Sequence, residues 1–268
     1  MGNTFLKWAG GKHWFVHKEN HRFPSEYNRY IEPFLGGGSV FFHVQPQNAI
    51  LSDINTELIN TYISVRDEVD AVYEHLKEHA KNHCYEYYYK IRKRNTRKSS
   101  TSAARMIYLN KACFNGIYRV NKQGKFNVPC GTATELYFDR KNLIESSMCL
   151  QKAEILCRDF EITINQAQHG DFLFCDPPYA VTDDNNRFVS YNADVFSWDD
   201  QVRLSQALIR AKERNVKIIM TNVDHENVRR LYNNVQGFVL DSVQRHCFIS
   251  GTNEGRRQYT ELVVTANL

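Results

Sequence analysis

Phe172-Leu173-Phe174-Cys175-Asp176-Pro177-Pro178-Tyr179 reads as a short apolar strand that stops at an acid, two prolines and an aromatic ring. The prolines fix φ and remove backbone donors, so the turn that follows the strand is stiff. Asp176 can accept hydrogen bonds from a planar amine, and Tyr179 can stack on a flat ring. Taken alone, the same residues also suit a Pro-Pro turn that merely ends a buried strand. The surrounding sequence has to decide between the two.

Working outward, short β-rich runs followed by helical patterns recur at both ends of the chain, as in a doubly wound α/β sheet. Tyr30-Ile31-Glu32-Pro33-Phe34 and Ala49-Ile50-Leu51-Ser52-Asp53 read as early strands, and residues 154–157, 172–175 and 216–220 as later ones. Residues 201–214 read as a helix with Leu204, Ala207, Leu208 and Ala211 on one face. Residues 238–249 and 261–266 read as a terminal hairpin around a polar loop. The middle, 57–134, is different: basic, tyrosine-rich and helical in period. Its end, 114–126, carries turn signals between β-formers and reads as a hairpin. The expected organisation is therefore 1–56 and 135–268 as one α/β domain, with 57–134 inserted.

Charge follows the same division. Residues 81–130 hold twelve Lys or Arg and one acid, Glu86, a net +11, while the remainder has 22 basic and 29 acidic residues, a net −7. Such separation suits a polyanion-binding segment, with Arg92, Lys93, Arg94, Arg97 and Lys98 as phosphate contacts. The alternative is a solvated basic surface. Hydrophobic content of 42% with 24% charged residues is ordinary for a soluble protein of 268 residues. No apolar run approaches the length of a membrane span, and the start of the chain lacks a signal-peptide stretch, so a cytoplasmic protein is expected. Seven cysteines without a Cys-x-x-Cys pair argue against both a disulfide framework and a zinc site, and no metal is expected.

After the first strand comes Glu32-Pro33-Phe34-Leu35-Gly36-Gly37-Gly38-Ser39, where glycines let the backbone pass close to a ligand. The spacing is neither the dinucleotide fingerprint nor a P-loop. Asp53, at the end of the second strand, stands where nucleoside-binding α/β folds hold ribose hydroxyls.

Phe5-Leu6-Lys7-Trp8-Ala9-Gly10-Gly11-Lys12, the 32–38 loop, Asp53, Phe126-Asn127-Val128-Pro129 and Asp176 to Tyr179 together resemble the Dam-type DNA adenine-N6 methyltransferases. The resemblance covers nearly the whole chain, and the motif order is that of the α-group of amino-methyltransferases. It implies a Rossmann-like S-adenosylmethionine-dependent methyltransferase fold with an inserted helical target-recognition domain. It also implies S-adenosyl-L-methionine as methyl donor and adenine N6 in double-stranded DNA, within GATC or a related site, as acceptor. The expected state is a monomer acting on nucleoid DNA in the cytoplasm, whether encoded by a cell or by a phage.

By resemblance, Trp8, Lys12, Glu32, Phe34, Gly36, Gly38, Asp53 and Asp176 belong to the cofactor pocket. Asp159 and Phe160 fall where the family reads the cofactor adenine, although a polar strand end and a core Phe would read alike. Lys7 and Arg119 match positions that touch guanines, and Phe114, Asn115, Ile117, Asn121 and Lys122 fall on the hairpin that enters the duplex. One departure is Phe114, where close relatives often carry tyrosine; stacking survives, but a hydroxyl contact would not.

The chemistry fits the residues as well. A stacked adenine cannot reach a pocket, so it must be flipped out and held by edge contacts and stacking. Asp176 and the Pro177 carbonyl would take both N6 hydrogens, with Pro178 and Tyr179 shaping the site. Cys130, after Pro129, could suggest a cytosine-C5 enzyme, but it lies in the recognition segment. Phe188, Tyr191, Phe196 and Trp198 either close over the flipped base or pack on the sheet. Arg256, in the loop 245–257, either grips phosphate or is solvated. The rival readings are an RNA or cytosine-N4 amino-methyltransferase, and a catalytically silent DNA-binding relative.

Overall fold

The computed structural model describes residues 3–121, 123–179, 196–246 and 258–268. Its strands are β1 (Tyr30–Glu32), β2 (Ala49–Asp53), β3 (Ala153–Cys157), β4 (Phe172–Cys175), β5 (Lys217–Val223), β6 (Val239–His246) and β7 (Gln258–Ala266). The fold is mixed α/β, with a seven-stranded sheet of order β3-β2-β1-β4-β5-β7-β6. The helices are α1 (His13–Lys18), α2 (Ser39–Val44), α3 (Thr56–Asp67), α4 (Val69–Lys81), α5 (Tyr85–Lys93), α6 (Ser99–Ala112), α7 (Arg140–Leu150), α8 (Phe160–Asn165), α9 (Trp198–Glu213) and α10 (Glu226–Arg230). None of them is long and apolar enough to cross a membrane.

Two compact units divide the chain: Met1–His21 with Leu35–Cys157, and Arg22–Phe34 with Arg158–Leu268. In the second, β1, β4 and β5 run parallel, and β7 pairs antiparallel with both β5 and β6. All four residues of β4 are completely buried, as an apolar run without alternation requires in a parallel sheet covered on both faces. The α9 helix starts at a capping box between Ser197 and Asp200 and buries Leu204, Ala207, Leu208 and Ala211, the face read from the sequence. The terminal hairpin is present as β6 and β7.

β5 departs from expectation. It runs beyond Met220 through Thr221, Asn222 and Val223, because the two polar side chains find partners instead of ending the strand. Asn222 exchanges side-chain bonds with Gln201 of α9, and both are buried.

In the first unit β2 and β3 are parallel, Ala49 opposite Ala153 through Asp53 opposite Cys157. The basic segment is helical, with α6 packed on α3, α4 and α5. Between these helices lie Leu58 and Tyr62 of α3, Val72 and Leu76 of α4, and Ile107 and Tyr108 of α6, all essentially buried. The expected 114–126 hairpin takes an irregular form. Phe114–Gly116 is a 3-10 turn, and isolated antiparallel bridges join Cys113 to Cys130 and Val120 to Phe126. The backbone bonds Asn127 N to Arg119 O and Asn121 N to Lys125 O close its tip.

Candidate functional site

At the end of β4 the chain turns at Asp176, and the strand register decides how that carboxylate is held. Cys175 lies opposite Met220, so the next residue of β5, Thr221, stands beside Asp176 and donates its hydroxyl to Oδ1 at 2.8 Å. A hydrogen bond to a charged group contributes about 1.5–3 kcal/mol, enough to favour one carboxylate rotamer over its alternatives. Pro177 is buried, while Pro178 and Tyr179 keep partial exposure. One strand away, at the end of β1, Glu32 is buried and accepts from the Tyr30 hydroxyl at 2.8 Å. Burial, with the charges of Glu32 and then Asp176 adding, pushes the Cys175 thiol well above its usual range. It is an inert core group between two acids.

The same unit holds Phe34, Asp159 and Phe160. Asp159 caps α8 by accepting the Glu161 amide at 2.9 Å and also takes Arg203 at 2.8 Å, both on Oδ1. No described residue donates to its Oδ2. Phe160 is buried, stacked on Phe34 at 5.2 Å, edged by Phe196 at 5.7 Å and covered by the Arg203 guanidinium at 4.9 Å. It packs as core and supports Phe34, the ring of the cluster that keeps partial exposure. Phe196 is buried in this cluster and Trp198 begins α9; Phe188 and Tyr191 lie outside the described residues.

In the first unit Asp53, at the end of β2, accepts the Gly36 amide at 3.1 Å and the Asn55 amide at 3.0 Å. Asn55 then caps α3, taking the Leu58 amide at 3.1 Å, so strand end, acid and helix start form one turn. Burial lifts the Asp53 carboxyl above its ordinary range, and amides of Asn55, Gly36 and Ile54 offset part of that rise. Such a carboxylate, with about four lone-pair sites and three amides directed at it, keeps room for a further hydroxyl hydrogen. Ile54 beside it is 63% exposed, an apolar face that the sequence reading passed over although it adjoins the acid.

Gly36, at φ +47°, presses against Trp8: a Cβ there would lie 2.9 Å from the indole Cδ1. The Tyr62 hydroxyl donates to the Gly36 carbonyl at 3.0 Å, and Gly38, at φ +67°, precedes α2. Lys12 is buried at the start of α1, its Nζ donating to the Gly10 carbonyl at 3.1 Å. Trp8, Gly36 and Asp53 are thus one contiguous group.

A second group in this unit surrounds the 114–126 turn. The Asn110 side chain accepts from the Lys7 amide at 2.8 Å, and its Nδ2 donates to the carbonyls of Lys7, at 2.7 Å, and Gly116, at 3.1 Å. Lys7 and the turn are therefore fixed to the same point of α6. Gly116, at φ +64°, is required: a Cβ would lie 2.5 Å from Lys7 Cδ. Phe114 is 50% exposed and Ile117 37%, apolar surface at a solvated tip. Arg119 is exposed; Asn127 Oδ1 accepts its Nε at 2.8 Å, and no described residue takes its terminal nitrogens. Asn127 comes from the Phe126-Asn127-Val128-Pro129 motif, whose role the sequence left open.

Of the basic residues, Arg94 is exposed, whereas Arg92 stacks on Tyr89 at 4.6 Å and donates to the Val128 carbonyl at 2.9 Å. Arg92 thus braces the chain returning from the turn. Asn121 accepts the amides of Gln123 and Lys125, holding the tip. Lys122, Arg256 and Cys247 lie outside the described residues. Burial, with Cys84 adding, lifts the Cys130 thiol above its usual range, the wrong direction for a nucleophile. No group of three His, Cys, Asp or Glu able to hold a metal ion occurs among the described residues.

With these groups in place, comparison with known proteins is decisive: the family model of the D12 class N6 adenine-specific DNA methyltransferases matches residues 8–246. The chain belongs to this family. It is similar to the type II methyltransferase M1.LlaDCHI of Lactococcus lactis subsp. cremoris, 34% identical over 97% of this chain and 94% of the relative. It is 35% identical to a DNA adenine methylase of Vibrio cholerae and 30% to that of Escherichia coli K12, each over 97% of this chain and 94% of the relative. The D12 enzyme described here is an adenine-specific DNA methyltransferase with a Rossmann-like methyltransferase fold, and S-adenosylmethionine is its methyl donor.

Within the first unit the residues suit such a donor: the Asp53 carboxylate at a strand end accepts hydroxyl hydrogens, the glycine turn admits close approach of a ligand to backbone, and Trp8 offers a ring face. Thr221, Asn110 and Arg203 hold residues of these groups without having been read from the sequence; each is a polar residue whose partner, Asp176, Lys7 or Asp159, lies far away in the chain.

Proposed function

We propose that this D12 methyltransferase methylates adenine N6 within GATC in double-stranded DNA, on a base flipped out of the helix. The observation that carries the reading is Asp176, fixed by Thr221 at the end of a fully buried strand and followed by two prolines. Bound S-adenosylmethionine supplies an activated methyl group, so the protein has to supply orientation rather than a nucleophile or a metal. Asp176 and the Pro177 carbonyl accept the two N6 hydrogens, which draws the nitrogen lone pair out of ring conjugation and aims it. Pro178, lacking an N–H, presents no competing donor, and Tyr179 stacks on the extruded ring.

Trp8, Lys12, Glu32, Phe34, Gly36, Gly38, Asp53, Asp159 and Phe160 hold the donor. Within that set, Asp53 takes ribose hydroxyls, Ile54 covers a ring face, and Oδ2 of Asp159 takes the donor's adenine amine. Lys7 and Arg119 read guanines while Phe114 and Ile117 fill the gap left by the flipped base. Asn115, Asn121, Lys122, Arg92, Arg94 and Arg256 follow the backbone, and residues 57–134 form the recognition insertion. The enzyme acts in the cytoplasm, on nucleoid DNA, as a monomer. Relatives of two kinds, DNA adenine methylases and a type II methyltransferase, support DNA as the substrate class.

Transfer to a GATC duplex should exceed transfer to a duplex changed at either guanine, to single-stranded DNA and to RNA, in each case by roughly 10³-fold, the lower end of a specific DNA-binding ratio. Equal rates on all four substrates, or preference for RNA, would overturn the reading.

A further inference from the structure

Next to Arg119 in the recognition turn stands Tyr118, which faces the cofactor residues of the same unit. Its ring stacks on Trp8 with centroids 5.3 Å apart and planes 23° from parallel. Its hydroxyl donates to Glu57 Oε2 at 2.8 Å, while Glu57 Oε1 takes Arg105 at 3.1 Å. Arg105 is in turn held by the carbonyls of Ile91 and Arg92 at 3.1 and 2.8 Å. Tyr118 is therefore fixed at both ends, by an acid anchored to the helical segment and by the indole.

On its other side Trp8 presses on the glycine turn. A Cβ on Gly36 or on Gly37 would lie 2.9 Å from the indole or its own Cβ, so the indole cannot shift inward without moving that backbone. Gly36 donates its amide to Asp53. The contacts Arg119–Tyr118–Trp8–Gly36–Asp53 form one unbroken chain from a proposed base reader to a proposed ribose acceptor. Interiors packed at this density move between discrete arrangements instead of yielding continuously.

We propose that Tyr118 is a positioning residue that couples the recognition turn to the cofactor turn, so that duplex and donor bind cooperatively. This rests on the site assignments proposed above. Engagement of Arg119 by a guanine orders the turn in the conformation that keeps Tyr118 flat on Trp8. Trp8 then holds the Gly36 turn and Asp53 in the arrangement that binds the donor. The coupling is reciprocal by linkage: the factor by which duplex tightens donor binding equals the factor by which donor tightens duplex binding.

A packing role alone would change stability and both affinities but leave that factor untouched, so the factor is the readout. The dissociation constant of S-adenosylhomocysteine would be measured with and without a saturating GATC duplex. In the wild-type protein the ratio should be at least about fivefold, the lower end of ordinary allosteric coupling. Tyr118→Ala should bring it within about twofold of unity, whereas Tyr118→Phe, which keeps the stack and loses only the Glu57 bond, should retain most of it. If Tyr118→Ala fails to fold, Tyr118→Leu keeps apolar bulk without a flat face and should give the same loss. A wild-type ratio near one, or an undiminished ratio in the folded Ala or Leu variant, would overturn the proposal while leaving the function intact. Failure of the wild-type protein to bind the probe or the duplex at all would overturn both.

Discussion

Asp176→Ala is expected to lower the single-turnover rate of methyl transfer by at least roughly 10²–10³-fold, the loss that follows removal of one preorganised group aimed at the reacting centre. Duplex affinity should change by less than about threefold, because Asp176 follows a buried strand and lies in no basic segment. Asp176→Asn should also fail: its amide keeps the shape and one acceptor but turns an N–H toward the amine or toward Thr221. Rapid-quench assays on saturated duplex would separate the chemical step from binding. Residual transfer within tenfold of wild type would show that the amine is held elsewhere.

Arg119→Ala should cost about 1–3 kcal/mol on the GATC duplex, roughly 5- to 150-fold in kcat/KM, the value of a bidentate arginine–guanine pair. On a duplex already changed at that guanine the same substitution should cost little, because the pair is absent there. Specificity at one base should relax while the others hold. The geometry favours this outcome: Asn127 takes Nε, which orients the guanidinium, and the terminal nitrogens have no partner among the described residues. An equal loss on every duplex would make Arg119 a phosphate anchor. The base reader would then be sought first at Lys7, whose backbone Asn110 fixes beside the same turn.

The parts of this protein that were legible in its sequence are those where meaning is local. Phe172–Cys175 has to be a buried strand because nothing polar interrupts it, and the spacing of Leu204, Ala207, Leu208 and Ala211 admits one helical face. Asp53 ends β2 where the sequence placed it, because Ala49, Ile50 and Leu51 make the start of that strand apolar. Thr221 could not be read so: with Asn222 it reads as a polar end to β5, and only the register of β4 against β5 reveals that it orients Asp176. Residues 114–126 read as a hairpin, yet Asn115 at φ +54° and the 3-10 turn interrupt its ladder. Tyr118 passed as one more β-former. Its stack on Trp8, 110 positions earlier in the chain, has no trace in either neighbourhood. Asp159 and Phe160 were read as binding residues or core. In the structure Phe160 is buried in an aromatic cluster and Asp159 keeps one oxygen outside its capping and ion-pair bonds.

Whether an adenine amine in duplex DNA receives the methyl group is decided by incubating the wild-type protein with methyl-labelled S-adenosylmethionine and a GATC duplex, digesting the product to nucleosides and resolving them. The label is expected in N6-methyldeoxyadenosine, from the adenine of GATC. Recovery in a methylated cytosine, or in adenine regardless of its neighbours, would contradict the proposed function.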